Sequence, residues 1–142
     1  TQRTDENFDG MPAQYCELPE LLAQSDFVSL HCPASPETHH LINAQSLALM
    51  KSTAHLINTA RGDVVNEAEL VDALQRGVIA GAGLDVYEAE PMVTPGLLDL
   101  PNVVLLPHMG SGTTQTRIAM GECAMANIRA FSNGQALLNP VV

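Results

Sequence analysis

Four short runs of apolar residues recur at nearly regular intervals along this chain. They begin 27, 25 and 24 residues apart and cover residues 27–30, 54–57, 79–84 and 103–106. Because each run is continuous, the runs are typical of strands that are buried on both faces of a parallel sheet. The spacing leaves room for a helix between successive strands. The pattern therefore predicts an α/β fold with a doubly wound parallel sheet and right-handed crossovers.

Helix signals lie between these runs. Asn43 is suited to cap a helix that continues to Met50. Asn66 and Glu69 have the spacing of a capping box at the start of another helix, and Gly77 is placed to end it. The alternation of strand and helix signals supports the α/β prediction.

The pattern changes after the fourth run. Residues 110–114 are glycine, serine and threonine, which indicates a loop. Apolar residues then recur at roughly helical spacing, at Ile118, Met125, Ile128 and Phe131. We therefore expect a long helix over about residues 115–131, followed by an extended tail.

Acidic residues outnumber basic residues by 16 to 6, which gives a formal net charge of -10. A surface of this charge repels phosphate backbones and anionic lipids, so we expect neither nucleic acid nor a membrane as a partner. The sequence also has no run of about 18 apolar residues that could span a bilayer. An anionic small-molecule substrate would have to be attracted by a local cation.

The cysteines are three in number, Cys16, Cys32 and Cys123, and they form no CxxC motif. An odd and widely spaced set is typical of reduced thiols, which predicts a cytoplasmic protein. His39 and His40 are adjacent but have no cysteine or acidic residue at metal-ligand spacing. We therefore expect no metal site.

Polar residues follow each predicted strand. Ligands of a doubly wound sheet bind beyond the carboxyl ends of its strands, so these residues are candidates for a site. They fall in four segments, HCPA at 31–34, NTARGD at 58–63, DVYEAEP at 85–91 and PHMG at 107–110. One edge of the sheet is thus predicted to carry a cation, carboxylates and a histidine.

This set suits hydride transfer to an α-keto acid. Arg61 offers a planar, permanently charged fork for the substrate carboxylate. His108 can donate a proton to the carbonyl oxygen as negative charge develops there. Glu90 can orient the imidazole and favour its protonated form. Each residue also has a structural alternative: a surface ion pair for Arg61, a turn for Glu90 and a core histidine for His108.

Four linked motifs resemble the D-isomer-specific 2-hydroxyacid dehydrogenase family. They are HCP…T at 31–38, NTARGDVV at 58–65, GAGLDV…EP at 81–91 and LPHMGS at 106–111. The resemblance extends in order along nearly the whole chain. It implies reduction of glyoxylate or hydroxypyruvate with NAD(P)H. An alternative within the same fold is a corepressor-like binding protein that senses NAD(H).

The resemblance also implies roles for individual residues. Arg61, Glu90 and His108 fall on the family's catalytic Arg/Glu/His set. Asp85 would accept a hydrogen bond from the nicotinamide carboxamide. The positions that would line the cofactor are Cys32, Thr59, Ala60, Arg61, Asp85, His108 and Gly110.

Two parts of the family pattern are missing from the sequence. The glycine-rich GxGxxG phosphate loop is absent, and so is most of the substrate-binding lobe. We therefore expect residues 1–110 to be the C-terminal part of an incomplete, Rossmann-like NAD(P)-binding domain. Residues 111–142 would hold a helix and tail that return towards the substrate domain. The chain alone is expected to be inactive, and the complete enzyme is expected to be a homodimer.

The first residues bear on cofactor choice. In Rossmann domains a carboxylate at the end of the second strand binds the ribose 2′-hydroxyl of NAD, whereas a nearby arginine accommodates the 2′-phosphate of NADP. Here Gln2 would stand at or near the acidic position, with Arg3 beside it. A solvated terminal charge is the alternative for Arg3. We therefore expect NADP(H) to be favoured, with NAD(H) also possible.

Overall fold

The computed structural model describes residues 14–140. They fall into two compact units, with the boundary between Pro107 and His108. The first unit holds strands β1 Phe27–Leu30, β2 His55–Asn58, β3 Gly81–Leu84 and β4 Val103–Leu105. Its helices are α1 Leu18–Gln24, α2 Ala44–Leu47, α3 Glu67–Gln75 and α4 Pro95–Leu98, with a 3₁₀ turn at Gly62–Val64. The second unit holds helix α5, Thr114–Ser132.

The four strands form one parallel sheet in the order β1-β2-β3-β4. The predicted α/β fold with a parallel sheet is therefore confirmed. Leu30 pairs with Asn58, Asn58 with Leu84, and Leu84 with Leu105, so the four strands end level with one another. The loops that follow the strands consequently emerge along one edge of the sheet.

Burial of the strands differs from the expectation that both faces are covered. In β1 and β2 the burial alternates along the strand, and Phe27 remains 70% exposed. The reason lies in the strand order, because right-handed crossovers between consecutive neighbours put the connecting helices on one face of the sheet. The core lies between that face and the helices, and its fully buried side chains include Leu22, Ile42, Leu47, Leu56, Leu70 and Ile79.

Local signals explain where the helices begin and end. The Asn66 side chain accepts a hydrogen bond from the Glu69 backbone N–H, and Gly77 follows α3 with a φ of 67°. The Glu69 carboxylate instead accepts from the Ala44 backbone N–H, so the predicted capping box of α3 is half formed. A complete capping box is found at Asn43, but α2 ends at Leu47 rather than continuing to Met50.

In the second unit, α5 covers the predicted long helix with one more residue at each end. Thr113 caps it by accepting from the Thr116 backbone N–H. Asn127 holds the following tail, because its side-chain oxygen accepts from the backbone N–H groups of Leu138 and Asn139 at 3.0 and 3.1 Å. In the described part of the chain, no helix is both long and apolar enough to cross a bilayer.

Candidate active site

A cavity lies beyond the carboxyl ends of β1 and β2. Its volume is about 560 Å³, and its lining residues are His31, Cys32, Pro33, Ala34, Thr59, Ala60 and Arg61. This volume falls within the range of about 300–1,000 Å³ that is typical of small-molecule and cofactor sites. The small side chains of Ala34 and Ala60 leave room for a ligand close to the backbone. The structure thus brings four predicted residues together: Cys32, Thr59, Ala60 and Arg61.

The loop after β2 carries Arg61 at the edge of this cavity. The Arg61 side chain is exposed, and its Nη1 donates to the Ala60 carbonyl oxygen at 2.6 Å. In the described part of the chain, His40, Lys51 and Arg76 are found in ion pairs, and Arg61 is not among them. This argues against the ion-pair alternative and leaves the guanidinium available to an anionic ligand.

Asn58 fixes the backbone of this loop through two side-chain hydrogen bonds. It ends β2 and is only 1% exposed. Its side-chain Oδ1 accepts from the Ala60 N–H at 3.0 Å, and its Nδ2 donates to the Arg61 carbonyl at 2.9 Å. Asn58 was not among the site residues predicted from the sequence. A polar residue at the end of an apolar run was the signal that could have identified it, since buried amides need partners.

Gly62 brings the loop after β2 against the loop after β3. A Cβ atom at this position would lie 1.9 Å from the carbonyl carbon of Tyr87 and 2.3 Å from the backbone nitrogen of Glu88. Only glycine permits such a close backbone approach. The segments that carry Arg61 and Glu90 are therefore packed directly on one another.

Tyr87 lies in the loop after β3, near the carboxylates of Asp85, Glu67 and Glu90. Asp85 is buried at 6% exposure, and its backbone N–H donates to the Asn58 carbonyl at 3.0 Å. The Glu90 carboxylate accepts from the Tyr87 backbone N–H at 3.0 Å. Burial raises the pKa of the Tyr87 phenol, and the nearby carboxylates of Asp85, Glu67 and Glu90 raise it further.

A buried carboxylate fixes the position of this loop. Glu67, at the start of α3, is 2% exposed and accepts from the Glu88 backbone N–H at 2.9 Å and from the Thr94 hydroxyl. In return, the Glu88 carboxylate accepts from the Glu67 backbone N–H at 3.1 Å and bonds the ring of His40. Every partner in this network lies far from Glu67 in sequence, and no local motif indicated the network.

Two further predicted residues belong to the second unit, and one lies outside the described residues. His108 and Gly110 begin the second unit, and both are exposed. His108 has a φ of 51°, a left-handed conformation that is uncommon for residues other than glycine and is often found at functional sites. Arg3 lies outside the described residues. Within residues 14–140, no group of three His, Cys, Asp or Glu side chains is arranged to hold a metal ion.

Comparison with known proteins identifies the family. Residues 1–110 match the family described as "D-isomer specific 2-hydroxyacid dehydrogenase, NAD binding domain". A glyoxylate/hydroxypyruvate reductase B from Pectobacterium carotovorum is 52% identical over 130 residues, which are 91% of this chain and 41% of that protein. A glyoxylate reductase from Thermococcus litoralis is 47% identical over 133 residues, which are 94% of this chain and 40% of that protein.

Solved structures agree with these matches. The crystal structure of an NADPH-dependent glyoxylate/hydroxypyruvate reductase from Sinorhizobium meliloti, in complex with NADP and malonate, superposes with a TM-score of 0.90 at 39% identity. The match covers 100% of this chain and 43% of that one. The chain thus spans about two fifths of the length of these relatives. From the family match and these similarities, the chain belongs to the D-isomer-specific 2-hydroxyacid dehydrogenase family.

Proposed function

We propose that the complete protein containing this chain reduces a small 2-keto acid, glyoxylate or hydroxypyruvate, to the D-2-hydroxy acid with NAD(P)H. The observation that carries this proposal is the cavity at the strand ends, which has the exposed Arg61 guanidinium at its edge. We assign residues 1–110 to the C-terminal part of the cofactor-binding domain and residues 111–142 partly to the substrate domain.

The cofactor is assigned to the cavity. Its walls at Cys32, Thr59 and Ala60 would contact the nicotinamide half, and Gly110 is proposed as a further cofactor-binding residue. The buried Asp85 carboxylate would accept a hydrogen bond from the nicotinamide carboxamide. This bond would determine which face of the nicotinamide ring is turned towards the substrate. When bound, NAD(P)H supplies the hydride. No metal is needed in this scheme, because Arg61 and His108 provide the positive charge and the proton.

Arg61, His108 and Glu90 are the residues of this chain that bind the substrate and supply its proton. Arg61 binds its carboxylate through the guanidinium fork and holds the carbonyl carbon in line for hydride transfer. His108 donates a proton to the carbonyl oxygen, so no alkoxide accumulates. Glu90 orients the His108 imidazole and stabilises its protonated form. His108 and Arg61 line the cofactor site as well, since hydride donor and acceptor must be adjacent.

Steady-state kinetics on the complete protein test this function. We expect turnover of glyoxylate and hydroxypyruvate with NAD(P)H, followed by loss of absorbance from the reduced cofactor. Tight cofactor binding without turnover of either keto acid would instead favour the cofactor-sensing alternative.

Replacing Arg61 by lysine in the complete protein is expected to lower kcat/KM for glyoxylate by roughly 10- to 100-fold. A lysine ammonium is a point charge and cannot reproduce two parallel hydrogen bonds to a carboxylate, and bonds between charged groups of this kind contribute on that scale. Arg76→Lys is the matched control, because Arg76 pairs with Asp72 on the exposed face of α3. Near-normal kcat/KM in Arg61→Lys would show that the carboxylate is bound elsewhere.

Cofactor preference provides a separate prediction. We propose that NADPH is preferred to NADH, because Gln2 would not repel a 2′-phosphate and Arg3 would pair with it. The Sinorhizobium relative is itself described as NADPH-dependent. The ratio of kcat/KM for NADPH to that for NADH is expected to fall about tenfold or more in Arg3→Ala, the scale of one lost charge-assisted bond. A preference of the wild type for NADH, or an unchanged ratio in the variant, would contradict it.

Location and assembly are also proposals. The three cysteines are free thiols, which supports a cytoplasmic location. Exposed apolar side chains on α5, including Ile118, Ile128 and Phe131, support burial of that helix in the complete homodimeric enzyme. Sedimentation of the complete protein would measure the oligomeric state.

A further inference from the structure

Asn58 is bonded to three residues of the proposed site. Its side chain bonds the backbones of Ala60 and Arg61, and its own carbonyl oxygen accepts from the Asp85 N–H at 3.0 Å. Ala60 and Asp85 belong to the cofactor assignment, and Arg61 to the substrate assignment. One buried residue thus joins both halves of the site.

The chemistry of these bonds requires an asparagine. The Ala60 N–H needs an acceptor and the Arg61 carbonyl needs a donor, so the two partners also define which end of the amide is oxygen. An aspartate offers no donor when ionised, and a serine hydroxyl is a single group in place of two. Apart from an aspartic acid in its protonated form, no other amino acid of this size presents a donor and an acceptor at the two corners of one planar group.

We propose that Asn58 is a positioning residue for Arg61. By fixing the Arg61 carbonyl, it fixes the backbone from which the guanidinium extends and therefore sets the affinity for the keto-acid carboxylate. This inference rests on the proposed function, in which Arg61 binds that carboxylate. Asn58 does not itself contact substrate, so its effect is expected in KM rather than in kcat.

The test compares Asn58→Asp with Asn102→Asp in the complete protein. Asn102 donates from its Nδ2 to the Ala80 carbonyl at 3.0 Å, at the opposite, amino-terminal edge of the sheet. Both variants make the same chemical change and lose the same type of bond. In Asn58→Asp we expect KM for glyoxylate to rise roughly 10- to 100-fold, which is the effect of leaving a buried polar group unsatisfied. The cofactor Kd should change little, because the acceptor for Ala60 remains.

A pH series distinguishes positioning from general destabilisation. Burial raises the pKa of a carboxyl introduced at position 58, and its protonated form regains a donor for the Arg61 carbonyl. The ratio of KM in Asn58→Asp to KM in wild type should therefore fall as the pH is lowered from about 8 to about 6. The ratio for Asn102→Asp should stay flat. A KM in Asn58→Asp equal to that of wild type throughout this pH range would overturn the proposal.

Amide hydrogen exchange gives a readout that does not require turnover. Exchange in residues 59–63 is expected to accelerate about tenfold or more in Asn58→Asp and to remain unchanged in Asn102→Asp. If Asn58→Asp does not fold, Asn58→Ser takes its place in both measurements. Asn58→Ser introduces no charge, so its exchange should accelerate and its KM should rise by less than the values expected for the aspartate variant. If wild type does not reduce keto acids, the proposed function fails, whereas unchanged exchange in both position-58 variants overturns the role of Asn58.

Discussion

Replacing Gly62 by alanine is expected to lower the free energy of unfolding by about 3 kcal/mol or more, the upper range for overpacking a buried site. The added Cβ would lie 1.9 and 2.1 Å from the carbonyl carbon and oxygen of Tyr87. Because these are backbone atoms, no side-chain rotation can relieve the clash. The loops after β2 and β3 would have to separate, which also displaces Arg61 from the site.

Urea denaturation of the complete protein measures this change. Gly77→Ala is the control, because a Cβ at position 77 meets no neighbouring atom within 4 Å. That substitution should lower the free energy of unfolding by only about 1 kcal/mol, since a φ of 67° is a left-handed conformation that alanine adopts at a cost. If Gly62→Ala proved as stable as Gly77→Ala, the close packing of the two loops would be wrong.

Replacing His108 by asparagine is expected to lower kcat by about 10²- to 10⁴-fold, the usual contribution of a general acid. Asparagine is polar and of similar reach, but it cannot deliver a proton to the carbonyl oxygen. The Kd of the cofactor should stay nearly constant, since the change removes proton transfer rather than binding. Stopped-flow measurement of hydride transfer would separate this step from product release.

His55→Asn is the corresponding control. The His55 ring stacks on Phe27 with centroids 5.4 Å apart, at the start of β2 and away from the strand ends that carry the site. Its replacement should leave kcat near the wild-type value. A His108→Asn variant that loses cofactor affinity but keeps its kcat would remove His108 from the role of acid.

Much of the fold followed from local pattern. The apolar runs identified all four described strands, and Gly77 was correctly placed after α3, because continuous hydrophobicity and left-handed glycine are properties of short segments. The helix α4 was not predicted, since residues 95–98 are too few to show helical periodicity. The expectation that both faces of the strands are covered was wrong for β1 and β2, because strand order depends on pairing between distant segments.

The candidate site was also predicted only in part from the sequence. The motif after β2 led to Thr59, Ala60 and Arg61, which the structure brings together with Cys32 at one cavity. The supporting contacts of Asn58 and Gly62 were missed. Gly62 contacts Tyr87 and Glu88 in a loop that is distant in sequence, which no local pattern indicates. Asn58 bonds the nearby residues 60 and 61, and its polar side chain at the end of an apolar run was the signal that could have identified it. The roles of Glu90 and His108 stay predictions for the kinetic experiments.

The contacts between the loops after β2 and β3 also limit how the chain can change in length. Gly62 lies against Tyr87 and Glu88, and Glu67 bonds the Glu88 backbone. One inserted or deleted residue between positions 59 and 67, or between 85 and 94, would shift these pairs out of alignment. The turn at Gly77 has open space around it, so insertions are tolerated better there. Related enzymes should therefore vary in length at that turn and stay constant in these two loops.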